Sequence, residues 1–314
     1  MPISRSAAMT LIGGGILAAA QPARAQTPAA TVRMGTIPIE PSAEAYYGAD
    51  EGIFAANGIT PVVSTLNNGA TIVQSVVGGD LDAGETNPFQ LAVAIARGIP
   101  LQMIAPACLY TKRVANPNVV VAKNSPIKSP KDLAGATIGV GSLGDFNELS
   151  LWAWLDANGV PRASIKYIEL PFSEIGAALA RGTIQAGFIV EPAKTDAMRA
   201  GLIRDFADTY IALAPEVATT VWFTSKNWLQ KNPDVAKNLV KAIYATGRWA
   251  NTHGPEAAAI IARVTKIDPA VVAAQQRRLF ATSNDRKYVE ATLTLAARYG
   301  MLARPVTYEE FCAS

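Results

Sequence analysis

Along the chain, short apolar runs of strand length recur at residues 32–37, 60–65, 83–85, 101–105, 118–122, 137–140, 165–170, 186–190 and 219–224. Most alternate with segments of helical periodicity, a rhythm that predicts parallel strands joined by crossover helices. Ser42 is placed to cap a helix running to about residue 57, where Gly58 stops it. Asn67 or Asn68 caps the next, which ends near Gly78 and Gly79, and Thr86 or Asn87 followed by Pro88 opens a third that stops at Gly98. Another helix is predicted over 146–158. After residue 224 the character changes. From Lys226 to Phe311 only helices are predicted, over 233–252, 255–266, 269–280 and 285–299, the first three opening on Pro233, Pro255 and Pro269.

Grouped by this rhythm, residues 32–105 form one α/β unit, 118 to about 210 a second, and a helical tail follows. Each unit contains a helix closing on glycine, a short turn and an apolar strand. In the first it is Val76-Val77-Gly78-Gly79-Asp80-Leu81-Asp82-Ala83-Gly84, and in the second Leu179-Ala180-Arg181-Gly182-Thr183-Ile184-Gln185-Ala186-Gly187. Glycine at the helix end relieves the left-handed turn. Two such units placed face to face, each presenting strand ends and helix N-termini, enclose a cleft.

The N-terminus changes the picture of where the chain works. One basic residue, Arg5, precedes an uncharged apolar run over 7–20, and Ala23-Arg24-Ala25 follows with the small-x-small pattern of a cleavage site. This predicts a secretory signal over residues 1–25 and a mature chain beginning at Gln26. The run falls short of the ~20 apolar residues of a spanning helix, and Gly13, Gly14 and Gly15 interrupt it. No cysteine lies near the cleavage point to carry a lipid. The leader's two arginines supply two of the three net positive charges, so the remaining chain lacks the basic excess of a nucleic-acid binder. Cys108 and Cys312 read as two isolated buried thiols.

Catalytic material is scarce. His253, the single histidine, falls at a predicted helix end, and neither cysteine has a near neighbour. Metal clusters and histidine-dependent triads have nothing to build on; no catalytic residue, metal ligand or cofactor is expected. Residues 139–144 spell G-x-G-x-x-G between a strand and a helix, but Glu169 is the only nearby acid to meet a ribose, and a dinucleotide site is not predicted.

A series of short motifs carries a resemblance. They are Val32-Arg33-Met34-Gly35, Asp50-Glu51-Gly52-Ile53-Phe54, Asn57-Gly58-Ile59, Gly69-Ala70-Thr71, Gly79-Asp80-Leu81-Asp82-Ala83 and Ala96-Arg97-Gly98-Ile99-Pro100. The second unit adds Ser129-Pro130-Lys131-Asp132-Leu133-Ala134-Gly135, Ile138-Gly139-Val140-Gly141-Ser142, Ala180-Arg181-Gly182, Ala186-Gly187-Phe188 and Glu191-Pro192, and Lys231-Asn232-Pro233 comes last. In this order and spacing the chain resembles the NMT1/THI5-like solute-binding proteins for nitrate, taurine and alkanesulfonates, a group that includes pyrimidine-precursor receptors. The resemblance implies a two-lobed α/β fold of the periplasmic-binding-protein type (type II), with two hinge crossings near 112–117 and 212–218. Lobe 1 then takes residues 26–112 and 218–314, and lobe 2 takes 113–217. It also implies a monomeric periplasmic receptor of an ABC importer, working with an inner-membrane permease. The solute expected is a small sulfonate, carboxylate, nitrate-like anion or pyrimidine. Alternatives are a ligand-presenting sensory receptor of the same fold, or an enzyme like thiamine-pyrimidine synthase. That enzyme group uses a cysteine-rich iron motif, an active-site lysine and histidines, whereas here His253 is the only histidine and neither cysteine has a near neighbour.

In such a cleft, solute meets strand ends and first helical turns, where free N–H groups and the helix dipole favour an anion. The turns at 38–42, 67–71 and 86–87 are expected on lobe 1, and the glycine-rich turn 141–144 on lobe 2. The candidate contacts are Glu40, Ser42, Asn68, Gly69, Ala70, Thr71, Thr86, Asn87, Ser142, Leu143, Gly144, Glu191 and Trp222, with Phe89, Phe146 and Phe172 as possible walls. The set is rich in hydroxyls and amides and free of Lys and Arg, which suits an anionic or strongly polar head held by neutral donors. Helix capping alone is the competing role for most of them.

Overall fold

The computed structural model describes residues 29–114, 118–191, 193–275 and 277–313. The predicted leader, part of the first predicted crossing (115–117) and Pro192 lie outside the described residues. The strands in chain order are β1 (Ala30–Thr36), β2 (Ile59–Thr65), β3 (Ala83–Thr86), β4 (Leu101–Pro106), β5 (Cys108–Thr111), β6 (Val119–Ala122), β7 (Thr137–Val140), β8 (Lys166–Glu169), β9 (Ala186–Phe188), β10 (Ile203–Ala207), β11 (Glu216–Ala218), β12 (Val221–Ser225) and β13 (Leu279–Phe280).

They build two five-stranded sheets of matching design, β2-β1-β3-β12-β4 and β8-β7-β9-β6-β10. In each, the first three strands are parallel, and the fourth runs against both neighbours. The expectation of parallel strands, made for most of the runs, does not hold at β12 and β6. Each enters its sheet directly from the connection between sheets, without a crossover helix to reverse the chain, so it enters antiparallel. That connection is itself a ribbon: β11 pairs antiparallel with β5, which also pairs with β13. Lys112 N–H reaches Pro215 C=O at 2.8 Å, and Thr219 N–H reaches Cys108 C=O at 2.8 Å.

The repeated glycine motif has a shared structural cause. Gly79 and Gly182 end their helices at positive φ, 84° and 73°. A Cβ on Gly84 would lie 2.3 Å from Ile72, and one on Gly187 would lie 2.4 Å from Ile175. Each glycine therefore lets the preceding helix seat an isoleucine on its own strand. Trp222 and Phe223, adjacent on β12, point to opposite faces of the first sheet. A bulge in the β4–β12 pairing sets Ala105 opposite Trp222 and Met103 opposite Phe223. Met103 and Phe223 thus face the helices Gly69–Gly78, Pro88–Ala96 and Lys287–Arg298, whereas Ala105 and Trp222 pack with Phe54, Leu239 and Ile243 on the other side.

Two helix expectations change. The segment expected as one helix from Ser42 to residue 57 is a 3-10 turn, Glu40–Ser42, and two helices, Glu44–Asp50 and Ile53–Ala56, broken at Gly52 with φ 65°. Ser42 caps neither. The predicted helix over 269–280 stops at Ala274, and its end pairs instead with β5 as β13. Cys108 and Cys312 are buried free thiols.

Candidate functional site

A cavity of about 150 Å³ lies between the two sheets, bounded by both. The first sheet's side contributes Ile37, Ile39, the turn Glu40–Ser42, Gly69 at a helix start, and Thr86, Asn87 and Gln90 where β3 passes into the next helix. Opposite stand Phe146 and Asn147, Phe172, and Val190 with Glu191 beyond β9. Tyr210, Thr219 and Thr220 come from the connecting segments, and Arg278 from the segment just before β13.

The helix starts come together because small residues and caps permit it. A Cβ on Gly69 would lie 2.3 Å from Thr86 Oγ1 and 2.5 Å from Gln90 Oε1, so two first turns meet at van der Waals distance only with glycine there. Asn68 accepts from Thr71 N–H at 2.9 Å, and Asn87 accepts from Gln90 N–H at 2.8 Å. Each cap uses one exposed donor and leaves the helix's positive end toward the cavity. Across the cleft, Asp145 caps the helix Phe146–Ala157 in the same way, at 2.9 Å. Tyr210 stacks on Phe146 at 5.4 Å and donates its hydroxyl to Asn147 Oδ1 at 3.0 Å, fixing the aromatic wall.

The expected residues divide. Glu40, Ser42, Gly69, Thr86, Asn87 and Glu191 line the cavity; Asn68, Ala70 and Thr71 are exposed beside it. Ser142, Leu143 and Gly144 do not reach it. Their loop's donors are taken within the second lobe, Leu143 N–H by Glu169 at 2.7 Å and Gly144 N–H by Glu148. Trp222 lies in the core instead of the cavity wall, fully buried, with its indole N–H on Glu44 at 2.8 Å. Of the other aromatics, Phe146 and Phe172 line the cavity and Phe89 is buried. Glu191 accepts from Thr195 N–H and Oγ1 at 3.1 and 2.8 Å, so it anchors the helix Ala193–Arg199 while edging the cavity.

The expectation of a site free of Lys and Arg is corrected by Arg278. Pairing of β13 with β5 sets its position, and the preceding helix Pro269–Ala274 reaches the other lobe, where Arg199 donates to Ala270 C=O at 3.2 Å. Among the described residues no side chain hydrogen-bonds or ion-pairs with the Arg278 guanidinium. Its charge is felt at Glu40, Asp208 and Tyr210. Its neighbour Arg277 is committed: Nη1 holds Glu40 Oε1 at 2.7 Å. Burial raises the Glu40 pKa, against the pull of Arg277 and Arg278. The sequence signal, an Arg277-Arg278 pair after a proline-started helix, was present but lay far along the chain from the other site residues.

Behind the turn sits a buried acidic pair. Thr36 Oγ1 donates to Ser42 C=O and lies 2.6 Å from Glu85 Oε2. One hydroxyl has one hydrogen, and a carbonyl only accepts, so the bond to Glu85 needs the carboxyl's own proton. Burial pushes Glu85 up to about 8, in keeping with that. Glu44, also fully buried, is pushed well above the ordinary carboxylate range by desolvation and by Glu85. Among the described residues no group of three or more His, Cys, Asp or Glu is arranged to hold a metal.

The sequence pattern of the NMT1-like family matches residues 25–266. The taurine-binding periplasmic protein of Escherichia coli (strain K12) is 27% identical over 195 residues, a match spanning 62% of this chain and 58% of that protein. The crystal structure of the periplasmic aliphatic sulphonate binding protein SsuA from Escherichia coli superposes with a TM-score of 0.76 at 16% identity, covering 92% of this chain and 93% of that one. The desulfurization enzyme DSZB superposes at 0.66 with 18% identity, covering 90% and 96%. At these identities the structural likenesses establish the fold.

Proposed function

The chain belongs to the NMT1-like family, and from that premise we propose that it is a periplasmic solute receptor that closes on a small organic anion and delivers it to an ABC permease. One observation carries this reading: a cavity bounded by both sheets and lined by Arg278, whose guanidinium has no hydrogen-bond or ion-pair partner among the described residues. A solute anion supplies that partner, and helix starts on both sides add favourable dipoles. We divide the chain into lobe 1, residues 26–112 and 218–314, and lobe 2, residues 113–217, joined through the β5–β11 ribbon. Residues 1–25 act as the export signal. The periplasmic proteins among the relatives support the location.

The cavity's own chemistry supports binding without turnover. Of the hydroxyls lining it, Ser42 has no hydrogen-bond partner, Thr220 donates to Pro41 C=O at 2.6 Å, Thr219 to Cys108 C=O at 3.3 Å, and Thr86 and Tyr210 to side-chain amides. None rests on a general base, which nucleophilic catalysis requires. The test is a thermal-shift and calorimetric screen of small carboxylates and sulfonates on protein stripped of solute by unfolding and refolding. A solute at a hundred times its Kd should add about 2.7 kcal/mol of stability. A panel of organic anions that produces neither shift nor heat would reject the receptor reading, and recovery of a chemically altered solute would reject binding without turnover.

A further inference from the structure

We infer that Phe172 sets the length of solute the receptor accepts, its ring standing as a stop between the cavity and a second, larger groove in the same lobe. This rests on the receptor reading above and narrows it. The groove, of about 530 Å³, runs between the helices Phe172–Ala180 and Ala193–Arg199. Among the described residues Phe172 alone lines both spaces. Past its ring the groove is walled by small or apolar side chains, Gly176, Ala177, Ala197 and Leu202 among them, and Asp196 is the one charged residue there. A carboxylate repels a second anion, so the groove suits an uncharged hydrocarbon tail whose anionic head stays at Arg278.

Local sequence seats the stop. Phe172 opens its helix directly after Pro171. A Cβ on Gly141 would lie 2.4 Å from Phe172 Cζ, so the ring rests against bare backbone just beyond the end of β7. The glycine-rich turn therefore makes room for an aromatic ring of its own lobe, while its later amides are held by Glu169 and Glu148. With the ring in place, the cavity of about 150 Å³ matches one able to hold benzene, room for a body of about six carbons. With the ring removed the two spaces join, and each further methylene entering the groove is worth roughly fourfold in affinity.

The experiment is titration calorimetry with straight-chain carboxylates and 1-sulfonates of two to ten carbons, on refolded wild-type protein, Phe172→Ala, Ala177→Phe and the double variant. Wild-type affinity should stop rising at about six carbons. In Phe172→Ala the rise should continue, so that members of eight to ten carbons bind at least about tenfold more tightly than they bind the wild type. Ala177→Phe fills the groove beyond the stop. Alone it should bind as the wild type does, and added to Phe172→Ala it should return long-chain affinity to near the wild-type value. If Phe172→Ala does not fold, the wild-type profile alone decides. Four results overturn the inference and leave the receptor standing: wild-type affinity that climbs through ten carbons, a Phe172→Ala profile unmoved from wild type, a gain that Ala177→Phe does not remove, or weakened short-chain binding in Ala177→Phe alone. Absence of binding by every member of both series overturns both together.

Discussion

Arg277 and Arg278 are adjacent in sequence, yet the structure gives them opposite tasks, and a pair of substitutions separates them. Arg278→Gln removes a charge that has no ion-pair partner among the described residues, so unfolding free energy should change by less than about 1 kcal/mol. What it removes from the complex is a charge-assisted contact to the solute anion, about 1.5–3 kcal/mol net. At 1.4 kcal/mol per tenfold, affinity should fall by roughly 10- to 150-fold. Arg277→Gln breaks a different bond. It strands Glu40, 3% exposed, without the guanidinium 2.7 Å away, and leaving a buried charge unpaired costs about 3–5 kcal/mol. Ligand-free melting should then drop by several degrees. Thermal melts without solute and calorimetry with the tightest organic anion from the screen read the two effects separately. If Arg278→Gln binds as the wild type does, or if both variants destabilise the ligand-free protein alike, the assignment of Arg278 as the anion's partner is wrong.

Two further outcomes concern the buried acids behind the site. Glu85 holds its proton up to about pH 8 in the fold, against an ordinary 4.5, so the folded state binds more protons and stability is lost as pH rises from about 4.5 through 8. Glu85→Gln should lessen the difference in urea-unfolding free energy between pH 5 and pH 8.5 by on the order of 4 kcal/mol; parallel pH profiles for variant and wild type would show that Glu85 ionises freely in the fold. Trp222→Phe leaves Glu44 Oε2 without the one donor it has among the described residues and should cost about 2–4 kcal/mol of stability. A double-mutant cycle with Glu44→Gln that gives a coupling under about 0.5 kcal/mol would count against the hydrogen bond.

What the sequence disclosed was whatever local periodicity and glycine chemistry encode. The repeated helix-glycine-strand motif marked both sheets, because Gly84 and Gly187 must admit an isoleucine from the helix before them. The caps read as Asn67 or Asn68 and as Thr86 or Asn87, and the second of each pair is the cap. The crossing ribbon was harder to see. β5 and β11 are short and pair across more than a hundred residues, with no helix between β4 and β5 to announce a new strand. β13 hid inside a helical pattern for a similar reason, since its partner is a strand from far upstream. Arg278 depends on that same remote pairing. The glycine-rich turn at 141–144 advertised free amides, but the carboxylates that occupy them come from Glu148 and Glu169, and only the folded second lobe brings them there. Trp222 was assigned to the correct strand but not to a face. Alternation says that Trp222 and Phe223 point oppositely, without saying which side meets the cleft.

If the two lobes close on solute, the distance between them shortens when solute binds. Val62, on β2, is 47% exposed, and Met198, beyond β9 on the second lobe, is 40% exposed, while the native thiols are buried. Spin labels on a Val62→Cys, Met198→Cys protein report the inter-lobe distance by pulsed electron resonance, with and without an anion that calorimetry shows to bind. The account predicts a broad ligand-free distribution that collapses at saturation to the shorter distance, because solute touches both lobes together only when they are closed. One distribution, unmoved by a solute known to be bound, would contradict it.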